Sequence, residues 1–153
     1  MSSADFGLLD PLGQGSTSGE IVGDAAWLQV LVDVEVALVR ALVHAGLVPV
    51  SMETVADGLA HAGDLDADAI AAAGRGGGNP VIPLVKQLGA RAESIQPGSS
   101  DWVHVGATSQ DILDSAAMVI ARRAIREIGV PLRSLSVQLS TLADLHRGTS
   151  MAG

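Results

Sequence analysis

Met118, Ala121, Ile125, Ile128, Leu132, Leu135, Leu139 and Leu142 follow one another at alternating spacings of three and four residues. This is the a/d seam of a coiled coil, an apolar stripe that calls for a partner helix along its length. Its phase passes through Gly129-Val130-Pro131 without a slip. The pattern therefore predicts one helix over residues 109–147, kinked where Pro131 removes a backbone donor, rather than two helices and a turn. At about 1.5 Å per residue, that helix is about 58 Å long. A compact globule of 153 residues has a radius of gyration of about 15 Å and so a diameter of about 40 Å. Its own chain cannot cover such a rod. Either it packs into an oligomeric bundle, or these residues are a piece of something longer.

The rest of the composition fits a chain that buries apolar surface against partners. Hydrophobic residues make up 48% of it and aromatics 2%, so the core must be aliphatic. Nine basic residues against 17 acidic ones give a net charge of −8, which argues against a nucleic-acid partner, since backbone neutralisation needs clustered Lys and Arg. Cysteine is absent, which excludes disulfides, thiolate zinc sites and a cysteine nucleophile, and suits a cytoplasmic protein. The opening "MSSADFGLLDPLGQG" lacks the basic-then-apolar order of a signal peptide. Residues 25–45 are apolar but interrupted by Gln29, Asp33, Glu35, Arg40 and His44, so they read as a buried helix and not a membrane span.

Three regions are expected: an irregular arm (1–18), an N-terminal helical domain (19–107), and the first long helix of a central bundle (108–153). Within the second, helices are predicted over 19–45, with Gly46 as its stop, over 52–62, and over 66–73, ending at the run Gly74, Gly76, Gly77 and Gly78. Asn79-Pro80 reads as a cap and first residue of a helix reaching about residue 94. "IQPGSSDWVHVGA" reads as a loop, and no strand pattern of useful length appears. The fold class is thus all-α. On the first of these helices Gln29, Asp33, Arg40 and His44 share a narrow strip, and Glu35 lies opposite it, a buried, hydrogen-bonded carboxylate in a structural role.

Chemistry concentrates at "HVGATSQDILDSA". Thr108 as N-cap with Asp111 three residues on resembles a capping box, which a plain helix start explains. The neighbourhood permits a second reading. Gly106 allows close backbone approach, His104 brings an imidazole, and the hydroxyls of Thr108 and Ser109 stand beside free helix N–H groups, so the turn could hold a carboxylate. "GRGGGNP" offers a similar helix start at Asn79, or is only a flexible connection; it lacks the Gly-Lys-Ser/Thr ending of a P-loop. His44 and His61 are isolated, His146 suits a helix C-terminus, and no spacing suggests a metal site.

"WVHVGATSQDILDSA", followed by a long helix and "LADLHRGTSMAG", resembles the fumarase/aspartase superfamily. "LDVEVALVRALVHAGLVP" and "GGNPVIPLVKQL" support the likeness, which runs from about Phe6 to the end and is strongest to the bacterial 3-carboxy-cis,cis-muconate cycloisomerase branch. Adenylosuccinate lyases usually carry His-Asp where Asn79-Pro80 stands. The resemblance implies conversion of 3-carboxy-cis,cis-muconate to 4-carboxymuconolactone in protocatechuate (β-ketoadipate) breakdown, without a cofactor. It implies a homotetramer whose sites are shared between subunits and a small tricarboxylate substrate. The substrate-binding candidates are Thr108, Ser109 and Gln110, then His104 and Asn79, then Thr149. His104 is the candidate for a catalytic part. Family members continue beyond the "TxMxG" motif at which the sequence stops, and the Ser-rich loop with the catalytic base lies in that continuation. The chain alone is therefore expected to be inactive. Adenylosuccinate lyase or another lyase of the superfamily is the alternative within this class, and a non-catalytic helical oligomerisation module is the alternative outside it.

Overall fold

A computed structural model describes residues 17–150. Most of the expected irregular arm, and the last three residues, lie outside that range. Among the described residues there are six α-helices and no strand: α1 Thr17–Val22, α2 Asp24–His44, α3 Met52–Leu59, α4 Ala67–Gly77, α5 Val81–Ile95 and α6 Ser109–Leu145. Single 3-10 turns, Ala62–Asp64 and Ser100–Trp102, interrupt two of the connections. No described helix is long and apolar enough to cross a membrane.

α2 is the central element. Val30, Val32, Val36 and Val39 are buried along it, against Met52, Val55 and Leu59 of α3 and Ile112, Ala116 and Ile120 of α6. Val81, Leu84, Leu88 and Ala92 carry the core onto α5. The core is aliphatic as the composition required, with Trp27 and Trp102 only half-buried at its edge. Polar ties run along the strip on α2. Gln29 donates to the Ala60 carbonyl at 2.9 Å and accepts the Ala62 N–H at 3.0 Å, Arg40 pairs with Asp57, and Asp33 meets Arg123 of α6 at 3.4 Å. His44 and His61 are exposed and tie nothing.

Three boundaries differ from expectation. The helix predicted over 19–45 is two helices: Gly23, extended at ψ 163°, separates α1 from α2, and its carbonyl accepts from Trp27 N at 3.0 Å to start the second. Glycine is the poorest helix former after proline, and Asp24 just beyond it suits a new helix N-terminus. α3 ends at Leu59, three residues early. α4, conversely, runs on through the glycine run to Gly77 and stops at Gly78, whose left-handed φ of 62° is the usual helix C-terminal signal. Within "GRGGGNP", Gly74–Gly77 are therefore the last turn of a helix and not a flexible connection, and Asn79-Pro80 lead into α5. The loop read at 95–107 contains the 3-10 turn Ser100–Trp102. α6, by contrast, is one uninterrupted helix of 37 residues with Pro131 inside it, as the unbroken seam phase required.

Candidate functional site

The first turn of α6 is a closed capping box. The Thr108 hydroxyl accepts from Asp111 N at 3.3 Å, and the Asp111 carboxylate accepts from the Thr108 N–H at 2.7 Å and its hydroxyl at 2.8 Å. The Thr108 N–H and then its hydroxyl, with a smaller contribution from the charge of His104, hold the Asp111 carboxyl below its usual range. Thr108 is thus committed to its own helix. What the turn leaves available is at the next two positions: the N–H groups of Ser109 and Gln110 have no acceptor within the helix, because the first residues of any helix lack one. The Gln110 amide donates to Asp114 at 2.6 Å, and the Ser109 side chain makes no hydrogen bond among the described residues. The Asp111 carboxylate already supplies one negative charge at this positive helix end.

His104 stands at the edge of this turn in an unusual backbone state. Its φ is 63°, the only positive value among the described non-glycine residues. A left-handed conformation costs an L-residue about 1–2 kcal/mol, and the structure must hold it there. The holding contact comes from α2. His104 Nδ1 lies 2.6 Å from Oε1 of Glu35, whose side chain is 2% exposed. Glu35 Oε2 is buried without a hydrogen-bond partner among the described residues. Burial pushes the Glu35 carboxyl above its ordinary range, outweighing the attraction and hydrogen bond of His104, which act to lower it. The sequence reading of Glu35 as a buried, hydrogen-bonded acid is correct, but its partner lies 69 residues away and no local pattern announces it.

The remaining candidates separate. Asn79 stands one residue ahead of Pro80, the N-cap of α5, and its Oδ1 accepts from Val81 N at 2.8 Å, so that oxygen too is occupied. Pro80, beside it, and Leu113, one turn into α6, line a common cleft of about 800 Å³ with Trp27, Leu28 and Ile70. Thr149 stands apart from the α6 start. It lies past the far end of the 37-residue α6, about 55 Å away at 1.5 Å per residue, where its hydroxyl faces His146 Nδ1 at 3.3 Å. No cluster of metal-ligating residues occurs among the described residues.

No family model matches the chain. It is 43% identical over 149 residues to a nitrosuccinate lyase of Streptomyces davaonensis, a match covering 97% of this chain and 31% of that protein. It is 40% identical over 134 residues to a 3-carboxy-cis,cis-muconate cycloisomerase of Pseudomonas putida, covering 88% of this chain and 32% of that one. The crystal structure of the 3-carboxy-cis,cis-muconate lactonizing enzyme from Pseudomonas putida matches with a TM-score of 0.79 at 39% identity, over 82% of this chain and 29% of that chain. The chain spans about a third of the length of these relatives, in their N-terminal part.

Proposed function

Because the chain belongs to the fumarase/aspartase superfamily, aligned with the N-terminal part of its members, we propose that it supplies the carboxylate-binding helix end of an enzyme acting on a small polycarboxylate. The observation that carries this reading is the first turn of α6, where two unclaimed N–H groups and a positive helix end lie beside a histidine held by a buried acid. The finer reading is a 3-carboxy-cis,cis-muconate cycloisomerase. In that reaction a substrate carboxylate oxygen bonds to one carbon of a conjugated double bond, and a proton is delivered to the neighbouring carbon. A nitrosuccinate lyase is the second reading, favoured by the higher identity over nearly the whole chain. There a proton leaves the carbon beside a carboxylate, and the nitro group departs with the bonding electrons.

Both reactions place transient negative charge on a carboxylate conjugated to the reacting carbon. Ser109 and Gln110 N–H groups would stabilise that charge, and His104 would bind the same carboxylate from the side. Thr108 shapes the turn through its box and touches substrate less directly than the sequence suggested. Thr149 could join the site only from a second copy of the chain, which accords with a homo-oligomer sharing its sites between subunits.

Turnover assays on the protein expressed from its own gene, offered 3-carboxy-cis,cis-muconate, nitrosuccinate and adenylosuccinate in turn, separate the enzymatic readings. Amide NMR shifts of Ser109 and Gln110 during a polycarboxylate titration test the site itself. No shift and no turnover would leave a non-catalytic oligomerisation module as the better account.

A further inference from the structure

Glu35 is an expensive residue to keep where it is. It lies on α2 among the buried Val32, Val36 and Val39, and its side chain shows 2% of its surface. One carboxylate oxygen is buried without a partner among the described residues, a cost that an aliphatic side chain of similar size would avoid. Its one hydrogen bond goes to a residue that adopts a left-handed backbone. The ring of that residue, His104, keeps 19% of its side chain exposed, and its Nε2 has no partner among the described residues. His104 also stands four residues before Thr108, the N-cap of α6.

From this arrangement we propose that Glu35 is a positioning residue: it grips His104 by Nδ1 and fixes Nε2 as the ring nitrogen offered at the α6 N-terminal turn. An imidazole whose Nδ1–H is donated to a carboxylate has a single neutral tautomer, with the Nε2 lone pair outward, and a single ring orientation. Without the carboxylate, the ring is free to flip and to move its proton to Nε2. The 2.6 Å contact also braces the left-handed turn, so that the segment between His104 and Thr108 enters α6 in one direction. What Nε2 meets rests on the proposed carboxylate-binding function; the grip itself rests on the geometry alone.

The test reads the ring nitrogens of His104 by 15N NMR across a pH series, in the range where the spectra report a neutral ring. The native protein should carry the ring proton on Nδ1. Glu35→Leu should move it to Nε2, and Glu35→Gln, whose amide oxygen can still accept, should restore it. Affinity for tricarballylate, a stable tricarboxylate probe, should fall about tenfold in Glu35→Leu, the worth of one charge-assisted hydrogen bond. Glu35→Leu combined with His104→Ala should bind no more weakly than His104→Ala alone. A natively folded Glu35→Leu protein with an unchanged His104 tautomer would overturn the proposal. Should that variant not fold, a native His104 ring found protonated on Nε2 would overturn it equally. A native Nδ1–H signal that Glu35→Leu abolishes, with no tricarballylate binding to either protein, would uphold the grip and reject the carboxylate-binding reading of the turn.

Discussion

Thr108 and Asp111 were legible as a pair because a capping box is local: donor and acceptor are three residues apart, and the helix itself brings them together. Thr108→Ala is expected to cost about 1 kcal/mol, measurable as a lower urea midpoint. The penalty should shrink in acid. The Asp111 carboxyl is held below its ordinary value of 3.8, so its contribution is present above that value and is lost as pH falls through the lower folded value. Protonation takes away an acceptor of two Thr108 hydrogen bonds. Glu35 has the opposite sign. Its folded pKa is raised from 4.5, so the folded state holds the proton more tightly and loses stability as pH rises from about 4.5 through the raised value. Relative to Glu35→Gln, the native protein should therefore weaken on going from acid toward neutral pH, seen as converging or crossing melting temperatures. A constant difference between the two across that window would mean that burial does not govern Glu35.

Among the elements, α6 was read almost to the residue and the helices around it less well. Its seam supplies a long, redundant signal, in which no single residue decides the phase. The split at Gly23 and the extension of α4 through Gly74, Gly76 and Gly77 each turn on a few glycines, whose intrinsic cost of about 1 kcal/mol per residue is small enough for packing to override. Gly74 illustrates how: it is buried beside Pro80, and a Cβ there would lie 3.4 Å from the Pro80 Cα, so its place in the helix lets α4 and the start of α5 approach closely. Pro131 is the opposite case, a strong local breaker absorbed by a longer helix. Because residues around it are exposed, Pro131→Ala is expected to relieve about 3 kcal/mol of local cost. Amide hydrogen exchange just after that position should slow by about 100-fold, an effect that ordinary surface substitutions on α6 should not reproduce.

At the scale of the molecule, α6 is buried only as far as Ile120, and the remainder stands clear of the described residues. Ile125 is 70% exposed, and Leu132, Leu135, Leu139 and Leu142 each show half or more of their surface. We expect the chain to self-associate through this stripe at micromolar concentration, and Leu132→Asp with Leu139→Asp to return it to monomer in sedimentation velocity, without loss of the core around α2. A native chain that sediments as a compact monomer would contradict this. We further expect the 153-residue chain to bind polycarboxylates without turning them over, since Thr108, Gln110 and Asp111 lie open to solvent and preorganised charge stabilisation needs a water-poor cavity. Loss of the conjugated absorbance of 3-carboxy-cis,cis-muconate that tracks the purified chain would refute it.

The sequence by itself determined what depends on period and short range. It set the all-α class, the aliphatic core, the length of α6, its capped start and the apolar stripe along it that stands exposed among the described residues. Each is written in neighbouring residues or in a repeat, and each follows from backbone geometry alone. Only the tertiary structure decided which long-range pairs meet. It brought Glu35 against His104 across 69 positions, set the backbone of His104 left-handed, and spent the Thr108 hydroxyl on Asp111. It also set Thr149 a helix length away from the turn it was grouped with. Such pairings depend on how α2 packs against α6 and the segment before it, and a burial pattern names the face of a helix without naming what lies against it.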